Sequence, residues 1–466
     1  MDHSVRISRI VLHNFKNTRY GEVDLINKRK DFKASILGMY GQNGSGKTAL
    51  IDAISLLKYV LCGQPIPQKF ADYVNIDAES AQLSFEIEMK IKDTDYHIWY
   101  DFSIRKSVDD ISVNMAEDDA QVQVKVEVYG EVLSYAFSSG DKKQRKTALI
   151  DTRSGNVFTP KAKYMELLGD DSFKETDLLV TKRIVQKTSR SFIFSKEMIN
   201  LFRRNCKNPQ YLSIIDALMV YGNREIFVIN TENSGLISLN ALPLAFKIKN
   251  DKAEAVGNVM LPLNGTAAIP KDAYNVVIKV IDNMNIVLEQ IVPGLTIGVE
   301  NLGTVMSKEG EVGRTIQLMS LKNGKAIPFQ YESEGIKKIV SILQLLIVVY
   351  NNPSITVAID ELDAGIFEYL LGEILNIISE KGKGQLVFTS HNLRPLETID
   401  KGFIAFTTTN PNNRYIRMTN VKGNNNLRNF YFRDIVLGEQ SEEVYSPTNN
   451  FDISLAFREA GESFVS

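Results

Sequence analysis

Cysteine and histidine are both scarce in this sequence. Cys62 and Cys206 are the only cysteines among 466 residues, too few for a disulfide framework or a cysteine-rich zinc site. The four histidines argue against a metal site built from imidazole ligands. The composition therefore excludes the disulfide-rich class and gives no support to a zinc protein.

A membrane-spanning run and an excess of one charge are also missing. The longest apolar run, residues 339–350, contains Ser341 and Gln344 and is too short to cross a bilayer. The residues that follow Met1 lack the apolar core of a signal peptide. With 54 basic and 56 acidic residues the net charge is −2, so no global basic excess favours nucleic acid. We expect a cytoplasmic protein of roughly two to four domains that does not enter a membrane.

The segment 41–48 has the spacing of a phosphate-binding loop, Gly-x-x-x-x-Gly-Lys-Thr. An apolar strand at 36–40 precedes it and a helix follows, which is the context that such a loop requires. Glycines adopt the positive φ angles of the loop at low cost, and backbone N–H groups at a helix N-terminus attract anions. We expect nucleotide contacts from the whole loop, namely Gly41, Gln42, Asn43, Gly44, Ser45, Gly46, Lys47 and Thr48.

Two residues of this loop have specific expected roles. Lys47 is expected to neutralise the β- and γ-phosphates during catalysis, and the Thr48 hydroxyl is expected to bind Mg²⁺. The alternative is a glycine-rich turn that binds nothing. The strand, loop and helix context favours ATP and Mg²⁺ as cofactors.

An acidic pair follows a second buried strand. Residues 355–359 form a continuous apolar run typical of a parallel strand, and Asp360 and Glu361 come directly after it. An aspartate at a strand end can bind Mg²⁺, and the adjacent glutamate can orient or deprotonate the attacking water. The alternative is that Asp360 only caps the next helix. The presence of the phosphate loop favours the catalytic interpretation.

Two further sites are predicted from their position along the chain. His391 follows the apolar strand 385–389, where a histidine can contact the γ-phosphate and act in catalysis, although a structural or surface histidine is the alternative. Ser333 and Gly335 begin the long apolar helix that precedes the Asp360 strand. The Ser333 hydroxyl and the helix N-terminus can bind a γ-phosphate, and Ser333 can also serve as an ordinary helix cap.

Together these residues resemble the ABC-type ATPases of the SMC and OLD group. The resemblance rests on residues 12–16 (Leu-His-Asn-Phe-Lys), the loop 41–48 (Walker A), Ser333-Glu334-Gly335 (signature), Asp360-Glu361 (Walker B) and His391 (switch histidine). Segments 360–367 and 388–392 are similar to those of compact bacterial ATPases linked to abortive infection and phage defence, such as the ATPase subunit of PARIS. The resemblance implies an α/β fold, an ABC-type P-loop ATPase head with a mixed sheet and flanking helices that carries an α+β insertion.

The resemblance also implies how the chain is organised. Residues 1–105 and 311–420 are the expected halves of the ATPase head, 106–310 the α+β insertion and 421–466 a looser C-terminal tail. In this family two chains sandwich two ATP molecules, and each site combines the Walker motifs of one chain with the signature of the other. We therefore expect a homodimer or higher homo-oligomer that ATP closes and hydrolysis releases.

The sequence departs from the family pattern at several positions. The signature is Ser-Glu-Gly instead of Ser-Gly-Gly, and Phe367 stands where transporters have the D-loop aspartate. Gln64 and Gln68 are candidates for a Q-loop glutamine, which the pattern does not otherwise identify. The residues after 420 are too few for the metal-dependent nuclease domain of OLD proteins, so we expect a separate effector protein.

Three functions compete on these grounds. A sensor or regulator of a toxic effector in anti-phage defence is favoured by the motif segments. A DNA-repair or DNA-clamp ATPase of the RecF or SMC type would make DNA a partner and would need a basic surface. The cations of residues 182–207 are a candidate patch, with a solvated helical face as the alternative. A transporter ATPase fits poorly, because too many residues separate Lys47 from Ser333. We expect residues 106–310 to bind a partner, either protein or nucleic acid.

Overall fold

The computed structural model describes residues 3–26, 34–108, 124–169, 175–229, 241–250, 253–306, 312–419, 426–438 and 440–462. Parts of the expected insertion, 109–123 and 230–240 among them, lie outside the described residues. The described strands are β1 (His3–Phe15), β2 (Thr18–Asp24), β3 (Ser35–Tyr40), β4 (Ser80–Ile91), β5 (Thr94–Val108), β6 (Val124–Ser139), β7 (Lys142–Asp151), β8 (Ile226–Ile229), β9 (Ala241–Asn250), β10 (Ala253–Pro262), β11 (Thr266–Pro270), β12 (Leu295–Met306), β13 (Val312–Lys322), β14 (Lys325–Pro328), β15 (Thr356–Ile359), β16 (Gln385–Thr389), β17 (Ile404–Thr407) and β18 (Tyr415–Ile416). The described α-helices are α1 (Lys47–Leu61), α2 (Lys161–Leu168), α3 (Glu175–Lys187), α4 (Lys196–Asn205), α5 (Pro209–Val220), α6 (Lys271–Ile291), α7 (Glu334–Asn351), α8 (Glu368–Lys381), α9 (Pro395–Thr398), α10 (Leu427–Leu437) and α11 (Asn450–Glu462).

A six-stranded sheet in the order β18-β17-β3-β16-β15-β8 carries the predicted motifs. Its neighbouring strands are parallel except for the pair β17 and β18. Successive residues of β3 face opposite sides: Leu37 and Met39 pack in the core that contains α1, whereas Ile36 and Tyr40 pack in the core that contains α7 and α8. Helices on both faces therefore explain why the strand sequence is continuously apolar.

A second six-stranded sheet, in the order β2-β1-β4-β5-β6-β7, is antiparallel throughout. Its strands alternate: along β4, Leu83, Phe85 and Ile87 are buried, and the residues between them are partly exposed. The buried face packs in the same core as α1. This sheet thus covers one face of the parallel sheet through α1.

The other face of the parallel sheet is covered by α7 and α8 and by a smaller unit. Strands β11, β13 and β12 form a sheet with β14 added at β13, and α6 packs against it with Val277, Met284 and Leu288 buried at helical spacing. The hairpin β9–β10 lies beside α7. These elements share one core with α7 and α8, so the α/β head with added α+β elements is confirmed.

The expected segment boundaries stay predictions, but several elements cross them. Residue 105 lies inside β5, and β6 and β7 extend the same sheet. Strand β8 joins the parallel sheet beside β15. The expectation of a loose tail after residue 420 is wrong for α10, whose Phe430 and Tyr431 are buried in the core. Aromatic residues at helical spacing gave that segment an apolar face to bury.

The buried carboxyl group of Glu131 joins two parts of the antiparallel unit. It lies on β6 and accepts hydrogen bonds from Tyr100 Oη (2.7 Å), the Phe192 N–H (2.7 Å) and the Ser191 hydroxyl. Burial raises the pKa of Glu131, while these donors act in the opposite direction. The network fixes the segment that follows α3 against the sheet.

We expect Glu131→Ala to lower the free energy of unfolding by about 2–4 kcal/mol, because each buried donor left without an acceptor costs about 1–3 kcal/mol. Urea unfolding, followed by the fluorescence of Trp99, measures this free energy. Trp99 is the single tryptophan and lies on β5, in the same sheet as Glu131. Glu127→Ala is the matched control on β6, since Glu127 pairs with the half-exposed Arg105 and such pairs contribute about 0–1 kcal/mol. Equal losses in the two variants would contradict the role given to Glu131.

Candidate nucleotide-binding site

The phosphate loop connects β3 to α1 through three glycines with positive φ angles. These angles are 149° at Gly41, 75° at Gly44 and 94° at Gly46, which only glycine adopts at low cost. Gly46 precedes the first turn of α1, and no side chain caps that turn. The first-turn N–H groups are therefore available to an anion at a helix N-terminus.

The Lys47 ammonium group is held by the loop itself. Its Nζ donates to the carbonyl oxygens of Gly41 (2.8 Å) and Gln42 (3.0 Å), and the residue is 7% exposed. Burial lowers the pKa of Lys47, although Asp360 and Glu361 act in the opposite direction. A desolvated ammonium with neutral acceptors would gain stability from an anionic phosphate.

The Asp360 carboxylate lies at the end of β15 between two hydroxyl groups. Thr48 Oγ1 is 3.1 Å from Asp360 Oδ2, and Thr389 Oγ1 donates to Asp360 Oδ1 at 2.5 Å. A hydroxyl and a carboxylate are the hard oxygen ligands that Mg²⁺ prefers, with the rest supplied by phosphates and water. Among the described residues no cluster of three His, Cys, Asp or Glu could hold a metal. The Thr48 hydroxyl and the Asp360 carboxylate fit two positions in the coordination of such an ion.

Glu361 has an unusual backbone conformation. Its φ is 50°, in the left-handed region that costs a non-glycine residue about 1–2 kcal/mol. The Glu361 N–H donates to Thr389 Oγ1 at 2.8 Å, so the same hydroxyl positions Asp360 and Glu361. The side chain lines the pocket beside Asp360.

Asp363 holds the segment that carries His391. Its Oδ2 accepts the N–H groups of His391 (3.1 Å) and Asn392 (3.0 Å). The His391 side chain is exposed and lines the pocket. The sequence did not single out Asp363, although its place three residues after Asp360 in an acidic segment was a usable signal.

A pocket of about 700 Å³ brings most of the expected residues together. It is lined by Lys16, Asn17, Asn43, Gly44, Ser45, Gly46, Lys47, Thr48, Ala49, Asp360, Glu361, Asp363, Ala364, Thr389 and His391. Gly41 and Gln42 are not in this lining and lie behind it. Lys16 and Asn17 enter the pocket from the turn between β1 and β2.

The signature residues do not line this pocket. Ser333 is exposed and caps α7 by accepting the Ile336 N–H at 3.4 Å, which is the capping role left open from the sequence. A Cβ atom at Gly335 would lie 2.6 Å from the Gly365 carbonyl oxygen, so this position requires glycine. Gln64 and Gln68 are not in the pocket lining either.

Residues from the C-terminal part of the chain support the loop from behind. Thr407, at the end of β17, contacts the Ser45 hydroxyl and donates to the Tyr40 carbonyl oxygen at 3.2 Å. Arg414 donates to the carbonyl oxygens of Thr408 (2.6 Å) and Asn17 (2.5 Å). Thr407 and Arg414 belong to no sequence motif. Their position behind the loop follows from the pairing of β17 with β3.

Residues 6–394 match a family described as AAA ATPase domain. The chain belongs to this family. Similar solved structures include an SMC head bound to the C-winged helix domain of ScpA (12% identity, TM-score 0.42, 88% of this chain and 98% of that chain covered), the SMC head domain from Thermotoga maritima (13%, 0.36, 89% and 99%) and the recombination mediator RecF with ATPrS (12%, 0.34, 88% and 98%).

No curated protein matches the chain. Among the described residues, no helix is long and apolar enough to cross a membrane. Family membership and the fold together make the protein a P-loop ATPase, while the roles of single site residues stay predictions.

We predict that two substitutions in the pocket affect different steps, one ATP binding and the other ATP hydrolysis. Lys47→Ala should abolish ATP binding, because it removes the ammonium group that neutralises the phosphates. Glu361→Gln should keep ATP binding and slow hydrolysis by about 10²–10⁴-fold, because it removes the proton acceptor and leaves Asp360 in place. ATP binding and phosphate release measure the two effects. Glu373→Gln, at an exposed position further along α8, is the control. Glu361→Gln turning over at the wild-type rate would rule out its assigned role.

Proposed function

We propose that the protein binds and hydrolyses ATP with Mg²⁺ as a nucleotide-dependent dimeric switch, and that it regulates a separate effector in bacterial anti-phage defence. The observation that carries the switch is the separation of the signature from the pocket. Ser333 is exposed, and neither Ser333 nor Gly335 is among the residues that line the site. A second copy of the chain would bring its own signature to this open pocket.

Within the pocket each group has a distinct task. Lys47 and the loop amides bind the phosphates, and Mg²⁺ held by Thr48 and Asp360 would supply further positive charge. Glu361 orients the attacking water and accepts its proton. His391 is placed at the pocket by Asp363, where it would contact the γ-phosphate and report hydrolysis.

The surface around the signature suits a second copy of the chain. Tyr331 and Phe367 are 71% and 70% exposed, and Gly335 and Gly365 join the segments that carry them. Exposed aromatic residues are enriched in the energetically dominant parts of protein interfaces. The role in defence rests on the resemblance of segments 360–367 and 388–392 to compact defence ATPases.

A mixed dimer tests the shared site. A Lys47→Ala protomer combined with a Ser333→Arg protomer keeps one intact composite site, so we expect ATP hydrolysis to return to about half of the wild-type value. Each variant alone should be inactive as a homodimer, which is the matched control. Verified mixed dimers that hydrolyse no ATP would count against sharing.

The regulatory role is tested with the same chain. Glu361→Gln with ATP should be dimeric by light scattering and should retain the product of a neighbouring toxin-like or nuclease-like gene during purification. Lys47→Ala should not respond to ATP in either measurement. Retention that is equal in both variants would contradict control by nucleotide.

A DNA clamp is the second candidate, and the edge strand β7 favours it. Lys142, Lys143, Arg145 and Lys146 are all exposed, and none takes part in the salt bridges found within the described ranges. A bulge opposite Ala136 presents two of these cations together. Lys146 also lies over the Trp99 ring, with its Nζ 4.4 Å from the ring centroid. Exposed lysines also keep edge strands from aggregating, but a run of exposed cations is what phosphate binding needs.

The helical patch expected from residues 182–207 is weaker than its sequence indicates. Lys182 is buried and donates to the carbonyl oxygens of Thr152 (2.7 Å) and Asn156 (3.1 Å), and Arg203 pairs with Asp216 at 2.7 Å. The apolar stem of Lys182 is buried, so Lys182 is a structural residue. A count of cations along the sequence cannot detect this burial.

Two charge-matched variants compare these surfaces. One replaces the four β7 cations with glutamine, and the other replaces the exposed Arg183, Lys187, Arg204 and Lys207. If DNA binds the β7 edge, only the first variant should weaken duplex binding and flatten its dependence on salt, because fewer counterions are released. Equal affinities of both variants and the wild type would exclude the β7 edge as the DNA surface.

A further inference from the structure

A segment near the C-terminus runs from α10 to the phosphate loop. We call residues 440–446 the C-terminal strap. The Glu442 carboxylate accepts hydrogen bonds from Asn413 Nδ2 (2.9 Å) and Asn410 Nδ2 (3.0 Å), and these bonds lower the pKa of Glu442. Val444 is buried in the core that contains β17 and α10. The strap is therefore attached to the loop between β17 and β18 by polar and apolar contacts.

The end of the strap reaches Gln42 in the phosphate loop. The Ser446 N–H donates to Gln42 Oε1 at 3.0 Å. The backbone carbonyl of the same Gln42 accepts Lys47 Nζ (3.0 Å) and Ser45 Oγ (2.5 Å). One residue thus receives the strap through its side chain and orders the loop through its main chain.

The strap also acts on the loop through a second layer. The segment 407–414, to which Glu442 is bonded, contains Thr407 and Arg414, which lie directly behind the phosphate loop. A Cβ atom at Gly41 would lie 1.9 Å from Thr407 Oγ1, so these two segments of the chain are in close contact. A shift of the strap would therefore be transmitted to the loop by contact.

We propose that the C-terminal strap is part of the nucleotide site, and that Ser446 is a positioning residue that fixes Gln42 and thereby the phosphate loop in its binding form. The proposal rests on the proposed binding of nucleotide phosphates by this loop. The loop carries three conformationally free glycines and binds a highly charged ligand, so its affinity depends on how far it is ordered before binding. Release of the strap raises the Kd for ATP without removing any group that contacts the phosphates.

A purely structural strap would change the thermal stability but not the Kd for ATP. Substitutions that remove or keep the Ser446 N–H distinguish such a strap from one that positions Gln42. Ser446→Pro removes the N–H that Gln42 accepts, whereas Ser446→Ala keeps it and changes only an exposed side chain. Gln42→Ala removes the acceptor and leaves the carbonyl that holds Lys47. We expect Ser446→Pro and Gln42→Ala each to raise the Kd for Mg·ATP by about 3- to 10-fold, the size of one hydrogen bond, and Ser446→Ala to bind as the wild type.

The double variant is the decisive measurement. If Ser446 acts through Gln42, Ser446→Pro in the Gln42→Ala background adds no further loss, because the bond is already absent. Thr448→Pro, two residues further along an exposed segment, controls for proline itself. Calorimetric titration gives Kd, and thermal unfolding without nucleotide shows whether each variant remains folded.

The outcomes distinguish the proposals. Wild-type protein that binds no ATP refutes the proposed function itself. Wild-type protein that binds ATP while Ser446→Pro and Gln42→Ala bind equally well refutes only the strap. Losses that multiply in the double variant also refute it, since they show that the two residues act independently. If Ser446→Pro unfolds, the Kd of Gln42→Ala still tests the proposal, because this variant keeps the main chain of the loop. A wild-type Kd in Gln42→Ala would then refute the strap.

Discussion

The parallel pairing of β3 with β16 and β17 is the constraint on which the nucleotide site depends. Parallel strands finish at the same edge of a sheet, where α/β folds bind their ligands. The residues that follow β3, β15, β16 and β17 therefore meet, although long stretches of chain separate them. The phosphate loop, Asp360, His391 and Thr407 are neighbours for this reason alone. Among the described residues that line the pocket, the antiparallel sheet contributes Lys16 and Asn17 at the β1–β2 turn.

Neutral groups donate or accept the hydrogen bonds that hold Lys47 and Asp360 in this site. Lys47 donates to two carbonyl oxygens, and Asp360 receives hydrogen bonds from the Thr48 and Thr389 hydroxyls. A hydroxyl both donates and accepts, so Thr389 can hold Asp360 while it accepts the Glu361 N–H. These neutral partners satisfy the hydrogen-bonding capacity of the Lys47 and Asp360 side chains without adding a further charged group.

The sequence was informative where chemistry is local and uninformative where it depends on distant pairing. The phosphate loop and the Asp360 pair are contiguous motifs that follow apolar strands, so both their residues and their elements were predictable. The helix that follows the Asp360 pair begins only at Glu368, and Gly365, with a φ of 78°, lies in the turn before it. Helix propensity does not register such a turn. Thr407 and Arg414 were not predictable, since they meet the loop only through the register of β17 against β3.

The long-range contacts of the phosphate loop also set the order in which the protein can mature on the ribosome. Strands β1, β2, β4, β5, β6 and β7 pair largely with near neighbours and can assemble while the chain is still emerging. Strand β3 must wait for β16 and β17, and 404 residues separate Gln42 from Ser446. At about 5–20 residues per second, the loop exists for roughly 20–80 seconds before its last support is made. A nascent chain therefore passes most of its synthesis with a Walker A sequence that has no completed site around it.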